Sequence, residues 1–132
     1  MQKRIEWGLL GGRLILGIIM LAHGVQKLGN MEAAIQTFNK IGQPASLAYV
    51  AAVTEAIGGG FLILGILVVP SAVILGLTMI GAIILAKLPS GLIGGFELPL
   101  SLLGLSLILA VTDSRKLSLS QLIHSKKPSR IK

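Results

Sequence analysis

Four long apolar segments constrain this chain more than any other feature of its sequence. They are residues 8–28, 44–69, 70–88 and 97–113. Each is close to the roughly 20 residues that an α-helix needs to cross about 30 Å of hydrocarbon. Hydrophobic residues make up 53% of the chain and charged residues 13%, a balance that ordinary soluble domains of this size do not show. The sequence therefore predicts an all-α membrane protein, a bundle of four transmembrane helices.

Three prolines indicate where these helices start. Pro44, Pro70 and Pro99 each lie at or near the first turn of a segment, where a missing N–H costs nothing because that donor has no helical partner. Pro70 alone divides the longest apolar stretch. The second and third spans are therefore predicted to be antiparallel neighbours with almost no linker between them.

The segment between the first and second spans has a different pattern. Residues 31–41 carry apolar side chains at helical spacing with polar residues between them. Asn30 can cap such a helix, and Glu32 suits its first turn. The pattern predicts a short amphipathic helix that lies at the membrane interface.

Basic residues are concentrated at the two ends of the chain. Eight of the twelve Lys and Arg residues precede the first span or follow the last one. We expect a transmembrane domain of residues 1–113, a basic tail of residues 114–132, and both termini in the cytoplasm of a multi-pass plasma membrane protein. An anionic lipid surface attracts such ends, so the net charge of +7 requires no nucleic acid partner. Arg13 interrupts the first apolar run and argues against a cleaved signal peptide.

The chain has no cysteine and two histidines. This composition excludes disulfides, thiolate catalysis, Cys-ligated iron–sulfur clusters and covalently attached haem within the chain. With so few ligands, a metal site built from this chain is not expected either. Any redox chemistry would require a diffusible or bound organic cofactor, or a partner protein.

Glu55 is the charged residue closest to the middle of a predicted span. A charge at the bilayer centre costs about 2.5 to 3.5 kcal/mol on insertion scales, so such residues usually face the interior of a bundle. Small residues allow neighbouring helices to approach closely. They share the helical face of Glu55, which predicts that its side chain is buried: Ala48, Ala51, Ala52, Gly58 and Gly59.

The first span carries a stripe of cationic or ionisable side chains. At about 100° per residue, Arg13, His23 and Lys27 fall within an arc of about 80°. We expect this stripe to face the bundle interior, where His23 either serves the site or simply hydrogen-bonds a neighbouring helix.

Depth along the helices indicates which charged residues can meet. If each span is centred in the bilayer, Lys27, Lys87 and Glu97 all lie roughly 12 to 13 Å from its midplane, on the outer side. The expectation is a polar funnel with Glu55 and Arg13 at its floor. The predicted binding residues are Arg13, His23, Lys27, Glu55, Lys87 and Glu97, of which Glu55 and His23 are the catalytic candidates.

Simpler interpretations of these residues remain open from sequence alone. Lys27, Lys87 and Glu97 could simply extend to the lipid headgroups. Arg13 could be a structural partner of Glu55 or of Asp113 at the end of the last span. Gly8 and Gly12 form a small-xxx-small pair that is compatible with a homo-oligomer.

The segments that contain these residues resemble a known family. "GRLILGIIMLAHGVQKLG", "TEAIGGGFLILG" and "GGFELPLSLLGLSLILAVTD" together resemble the DoxX family of small four-helix membrane proteins of bacteria and archaea. The likeness covers nearly the whole chain apart from the basic tail. It is more specific for the fold than for the function.

The resemblance implies a link to membrane redox chemistry. Relatives are associated with terminal oxidases, thiosulfate:quinone oxidoreduction, oxidative stress, and detoxification of quinones and catechols. The expectation is that the polar core binds a quinone or a related small aromatic redox compound, in a chain that could be a subunit of a quinone-linked oxidoreductase. Two alternatives are a small-molecule transporter and a membrane anchor for a soluble oxidoreductase.

Overall fold

The computed structural model describes residues 2–119, 121 and 122, which are almost entirely helical. Four stretches of this part of the chain are long and apolar enough to cross a membrane, and this confirms the predicted transmembrane helix bundle. They are Gln2–Gly29, Ala45–Leu64, Val68–Ser90 and Leu92–Thr112. The α-helices are α1 (Gln2–Gly29), α2 (Met31–Lys40), α3 (Ala45–Leu64), α4 (Val68–Ala82) and α5 (Glu97–Thr112).

The turn between α3 and α4 lies at residues 65–67, so the predicted boundary at residues 69 and 70 was wrong. Gly65 ends α3 with a φ of 72°, a left-handed conformation that a residue without a Cβ adopts at little cost. Pro70 is the third residue of α4 and lies in its first turn, where proline is tolerated. The first helix also begins earlier than predicted, at Gln2 instead of Gly8.

Glycines bring α1 and α3 into close contact. A Cβ added to Gly17 would lie 2.9 Å from the carbonyl oxygen of Gly59, and a Cβ added to Gly24 would collide with the backbone of Ala56. Only residues without side chains permit two helix backbones to approach this closely. Because Gly59 lies one turn after Glu55, the same contact directs Glu55 toward α1.

Large apolar side chains form both the centre of the bundle and its outer surface. Ile18, Leu77 and Val111 are more than half exposed, as expected for side chains that face lipid. The buried cluster at the centre consists of Leu16, Met20, Leu62, Val68, Ala72, Leu75, Met79, Leu102 and Leu109.

The segment between the first two spans is a helix, as predicted. The side chain of Asn30 caps α2 by accepting a hydrogen bond of 3.2 Å from the N–H of Ala33. Glu32 lies in the first turn, where a carboxylate favours the positive end of the helix dipole. The helix packs against α3 through Ala34, and its location at the membrane interface stays a prediction.

Residues 114–119 are packed against the bundle and do not form the start of a free tail. Ser114 and Ser118 are buried. The ammonium group of Lys116 lies 3.8 Å from the carboxylate of Glu6 and 4.9 Å from the centre of the Trp7 ring. The first residues of the predicted basic tail therefore contact the bundle, while residues 120 and 123–132 of that tail lie outside the described residues.

Different segments of the chain form the two ends of the bundle. We use "terminal end" for the end formed by the start of α1, the turn at residues 65–67 and residues 113–119. We use "loop end" for the opposite end, which contains α2 and residues 83–96.

Candidate functional site

A cavity of about 360 Å³ opens between α1, α3, α4 and α5 toward the loop end. Most of its wall is apolar, including Met20, Met79 and Leu102. Five of the six residues predicted for the binding site line this one cavity: His23, Lys27, Glu55, Lys87 and Glu97.

An ion pair between Lys27 and Glu55 lies at the inner end of the cavity. Lys27 Nζ is 2.5 Å from Glu55 Oε2, and the Glu55 residue is only 5% exposed. Glu55 is ten residues into α3, which places it about 15 Å from the start of that helix. The sequence placed these two charges at different depths, but the flexible lysine side chain extends to the carboxylate. The other carboxylate oxygen, Oε1, has no hydrogen-bond partner among the described residues. It is therefore available to accept a hydrogen bond from a ligand.

His23 lies one turn before Lys27 on α1 and lines the same cavity. Its side chain is half-buried and makes no hydrogen bond within the part of the chain that the structure describes. An imidazole ring can donate from one nitrogen and accept at the other. His23 is therefore placed to bond a polar atom of a molecule in the cavity.

Lys87 and Glu97 form the outer rim. After Ala82 the helix continues as a π-helical turn over Ile83–Lys87, a form that occurs often at functional sites. The N–H of Gly94 donates a hydrogen bond of 3.0 Å to Glu97 Oε1 and fixes this carboxylate at the start of α5. Lys87 is exposed and has no ion-pair partner among residues 2–119.

Arg13 belongs to a different site. Its guanidinium group is fully buried and donates hydrogen bonds to the carbonyl oxygens of Ser114 at 3.2 Å and of Leu117 at 3.3 Å. The expectation that Arg13 lies with Glu55 at the floor of one funnel was wrong. Pairing with Asp113 is not found either, because the Asp113 carboxylate binds Arg115 Nε at 2.7 Å. The arginine side chain extends toward the terminal end, away from the cavity.

Sequence reasoning missed several residues of the cavity. Met20 precedes His23 by three positions, so the helical spacing already placed it on the same face. Met79 has no comparable signal, because its position depends on how α4 packs. Gly94 contributes through its backbone N–H, which the residue type does not reveal.

The fold and the charged cavity define a small four-helix membrane protein, and this chain belongs to the DoxX family. The DoxX family model matches residues 8–88. The resemblance found in the sequence is thereby confirmed. Glu97 lies beyond the matched range, while His23, Lys27, Glu55 and Lys87 lie within it.

Two relatives extend this comparison. A protein of Bacillus subtilis (strain 168) named "Putative oxidoreductase CatD" is 42% identical over 127 residues, which cover 96% of this chain and 95% of that protein. An uncharacterized membrane protein of Mycobacterium tuberculosis is 37% identical over 87 residues, which cover 64% of this chain and 53% of that protein. No solved structure matches the chain significantly.

Proposed function

We propose that the cavity binds a quinone or a related small aromatic redox compound. The protein would then act in quinone-linked oxidoreduction or in the detoxification of quinones and catechols, at a plasma membrane with both termini in the cytoplasm. The observation that carries this proposal is the Lys27–Glu55 ion pair at the inner end of a largely apolar cavity. The name of the Bacillus relative, an oxidoreductase, supports the same reaction class.

The cavity suits an aromatic headgroup in size and lining. Its volume of about 360 Å³ is at the lower end of the roughly 300 to 1,000 Å³ of small-molecule sites, which favours a single ring system. Met20, Met79 and Leu102 provide apolar surface for the ring. Leu98 lines the cavity and is also 46% exposed, so the prenyl tail of a quinone would leave toward lipid on that side.

The polar residues match the chemistry of quinone reduction. A quinone takes up two electrons and two protons to become a quinol. Lys27 and His23 would donate hydrogen bonds to the carbonyl oxygens, while Glu55 would relay to them, one after the other, the two protons that reduction consumes, taken up from water at the loop end. The electrons would come from a reduced soluble or membrane oxidoreductase, which makes such a protein the proposed partner.

A second candidate function is small-molecule transport. It is favoured by one observation: the cavity opens at the loop end, and none of its lining residues belongs to the terminal end. Buried charges of this kind often mark substrate or proton pathways. Transport predicts substrate flux into liposomes without any electron acceptor, whereas the redox function does not.

Binding of a short-chain menaquinone analogue tests the proposal. We expect the reduced form of the analogue, whose hydroxyl can donate to the Glu55 carboxylate, to bind the wild type saturably and Glu55→Gln at least about tenfold more weakly, because one hydrogen bond to a charged group contributes about 1.5 to 3 kcal/mol. Fluorescence quenching or calorimetry in lipid nanodiscs measures both affinities. Glu32→Gln is the matched control, since it removes an exposed carboxylate from α2 outside the cavity. Equal losses in the two variants, or no binding to the wild type, would contradict the proposal.

A further inference from the structure

The terminal end contains a buried charge that the proposed function does not use. Arg13 is fully buried, and the hydrogen bonds that it makes to described residues go to carbonyl oxygens instead of a carboxylate. Its Nε and the hydroxyl of Ser114 are both buried and have no hydrogen-bond partner among the described residues. Buried polar atoms are normally satisfied, and a buried cation is costly without a compensating charge. Two such atoms in neighbouring side chains indicate a missing partner.

Ser114 lines two cavities at this end of the bundle. One has a volume of about 440 Å³ and is bounded by the α3–α4 turn, including Gly65 and Pro70. The other has a volume of about 510 Å³ and is bounded by the start of α1 and by Lys116. Arg115 lines both cavities together with Ser114. A ligand in either cavity can therefore contact Ser114 and Arg115.

The guanidinium group of Arg13 lies directly behind the wall of the first cavity. A Cβ added to Gly65, which lines that cavity, would be 3.3 Å from Arg13 Cζ. Two carboxylates also lie at these walls: Glu6 lines the second cavity, and Asp113 lines both. Each has a cation within ion-pair distance, Lys116 beside Glu6 and Arg115 beside Asp113. Arg13 has no such acidic partner among the described residues, so this end carries a surplus positive charge.

The surroundings of the second cavity are those of a lipid headgroup region. Trp7 is half-exposed and contacts Lys116, and tryptophan is enriched at the level of the headgroups. Ile5 and Leu9 supply an apolar flank on the same helix. Basic pockets between transmembrane helices recognise anionic lipid headgroups.

We propose that the terminal end binds the phosphate group of an anionic phospholipid from the leaflet on the side of the termini. Arg115 contacts the phosphate from the rim, and Arg13 compensates its charge from behind the wall. The Ser114 hydroxyl, which is buried in the structure, donates to the phosphate after a rotation about the Cα–Cβ bond turns it toward the cavity. Free phosphate shares this chemistry, but the apolar flank at Ile5 and Leu9 suits an acyl chain. The site is independent of the quinone proposal, because none of these residues lines the Glu55 cavity.

Native mass spectrometry of the purified full chain tests this site with phosphatidylglycerol and phosphatidylcholine as probes. We expect the wild type to retain phosphatidylglycerol in preference to phosphatidylcholine. Arg115→Gln should weaken retention about fivefold, the equivalent of about 1 kcal/mol for one cation near a lipid surface. Ser114→Ala should weaken it by at least as much, because it removes a hydrogen bond to a charged group. Arg4→Gln is the control, because it removes a charge from an exposed position at the same end that lines neither cavity.

Three results would overturn the proposal. The first is equal retention of the two lipids, and the second is an equal loss in Arg115→Gln and Arg4→Gln. The third is full displacement of the lipid by millimolar inorganic phosphate, which would show a site for a free anion. Ser114→Ala removes a single oxygen atom and keeps the fold, so the test does not depend on the charge variant alone.

Discussion

Glu55→Ala is expected to destabilise the protein by about 3 kcal/mol. The substitution leaves the Lys27 ammonium group in the bundle without its carboxylate, and breaking a buried ion pair costs about 3 to 5 kcal/mol. We expect the lower end of this range, because the Lys27 side chain is 25% exposed and can turn toward water. Unfolding in lipid–detergent mixtures, followed by circular dichroism, measures the change.

The control is the double variant Lys27→Met, Glu55→Leu. Replacing both partners of a buried pair with apolar residues is often neutral, so we expect this variant to regain most of the lost stability. It should still fail to bind a quinone, since both polar groups at the inner end of the cavity are gone. A double variant that is no more stable than Glu55→Ala would show that the pair is not coupled.

Gly59→Ala is expected to cost about 3 kcal/mol, at the upper end of the range for overpacking. The added Cβ would collide with the backbone nitrogen of Leu21 on α1, and a backbone atom cannot rotate aside. The two helices would have to separate at the contact that directs Glu55 toward α1. The same unfolding measurement applies.

Gly60→Ala is a matched control on the next residue of the same helix. No atom lies within 4 Å of a Cβ added there, so no collision is expected. Alanine favours a helix over glycine by about 1 kcal/mol, and the variant should equal or exceed the wild type in stability. Similar losses at the two positions would contradict the close contact between α1 and α3.

The fold was predictable because its main signals are local. Apolar length set the spans, and the capping side chain of Asn30 identified the start of α2. The α3–α4 turn was misplaced because proline gives a stronger sequence signal than glycine. Pro70 lies inside the first turn of α4, while Gly65 provides the left-handed residue that ends α3.

Part of the candidate site was predictable from the sequence. Five of the six predicted residues line the cavity, whereas Arg13 was assigned to the wrong site. His23, Lys27 and Glu55 are polar side chains on inward faces, and helical periodicity identifies such faces. Arg13 lies on the same face of α1, but its partners are backbone carbonyl oxygens at residues 114 and 117. Every residue carries a carbonyl, so no sequence pattern identifies that contact.

If a quinone occupies the Glu55 cavity as proposed, photolabelling should place it there. A photoactivatable short-chain quinone is bound to the protein in lipid nanodiscs, and labelled peptides are mapped by mass spectrometry with and without excess unlabelled quinone. We predict label on Glu55 and on residues 20–27, 79–87 and 94–102, which together line the cavity, with loss of label under competition. Label spread over lipid-facing residues, unchanged by competitor, would contradict the account.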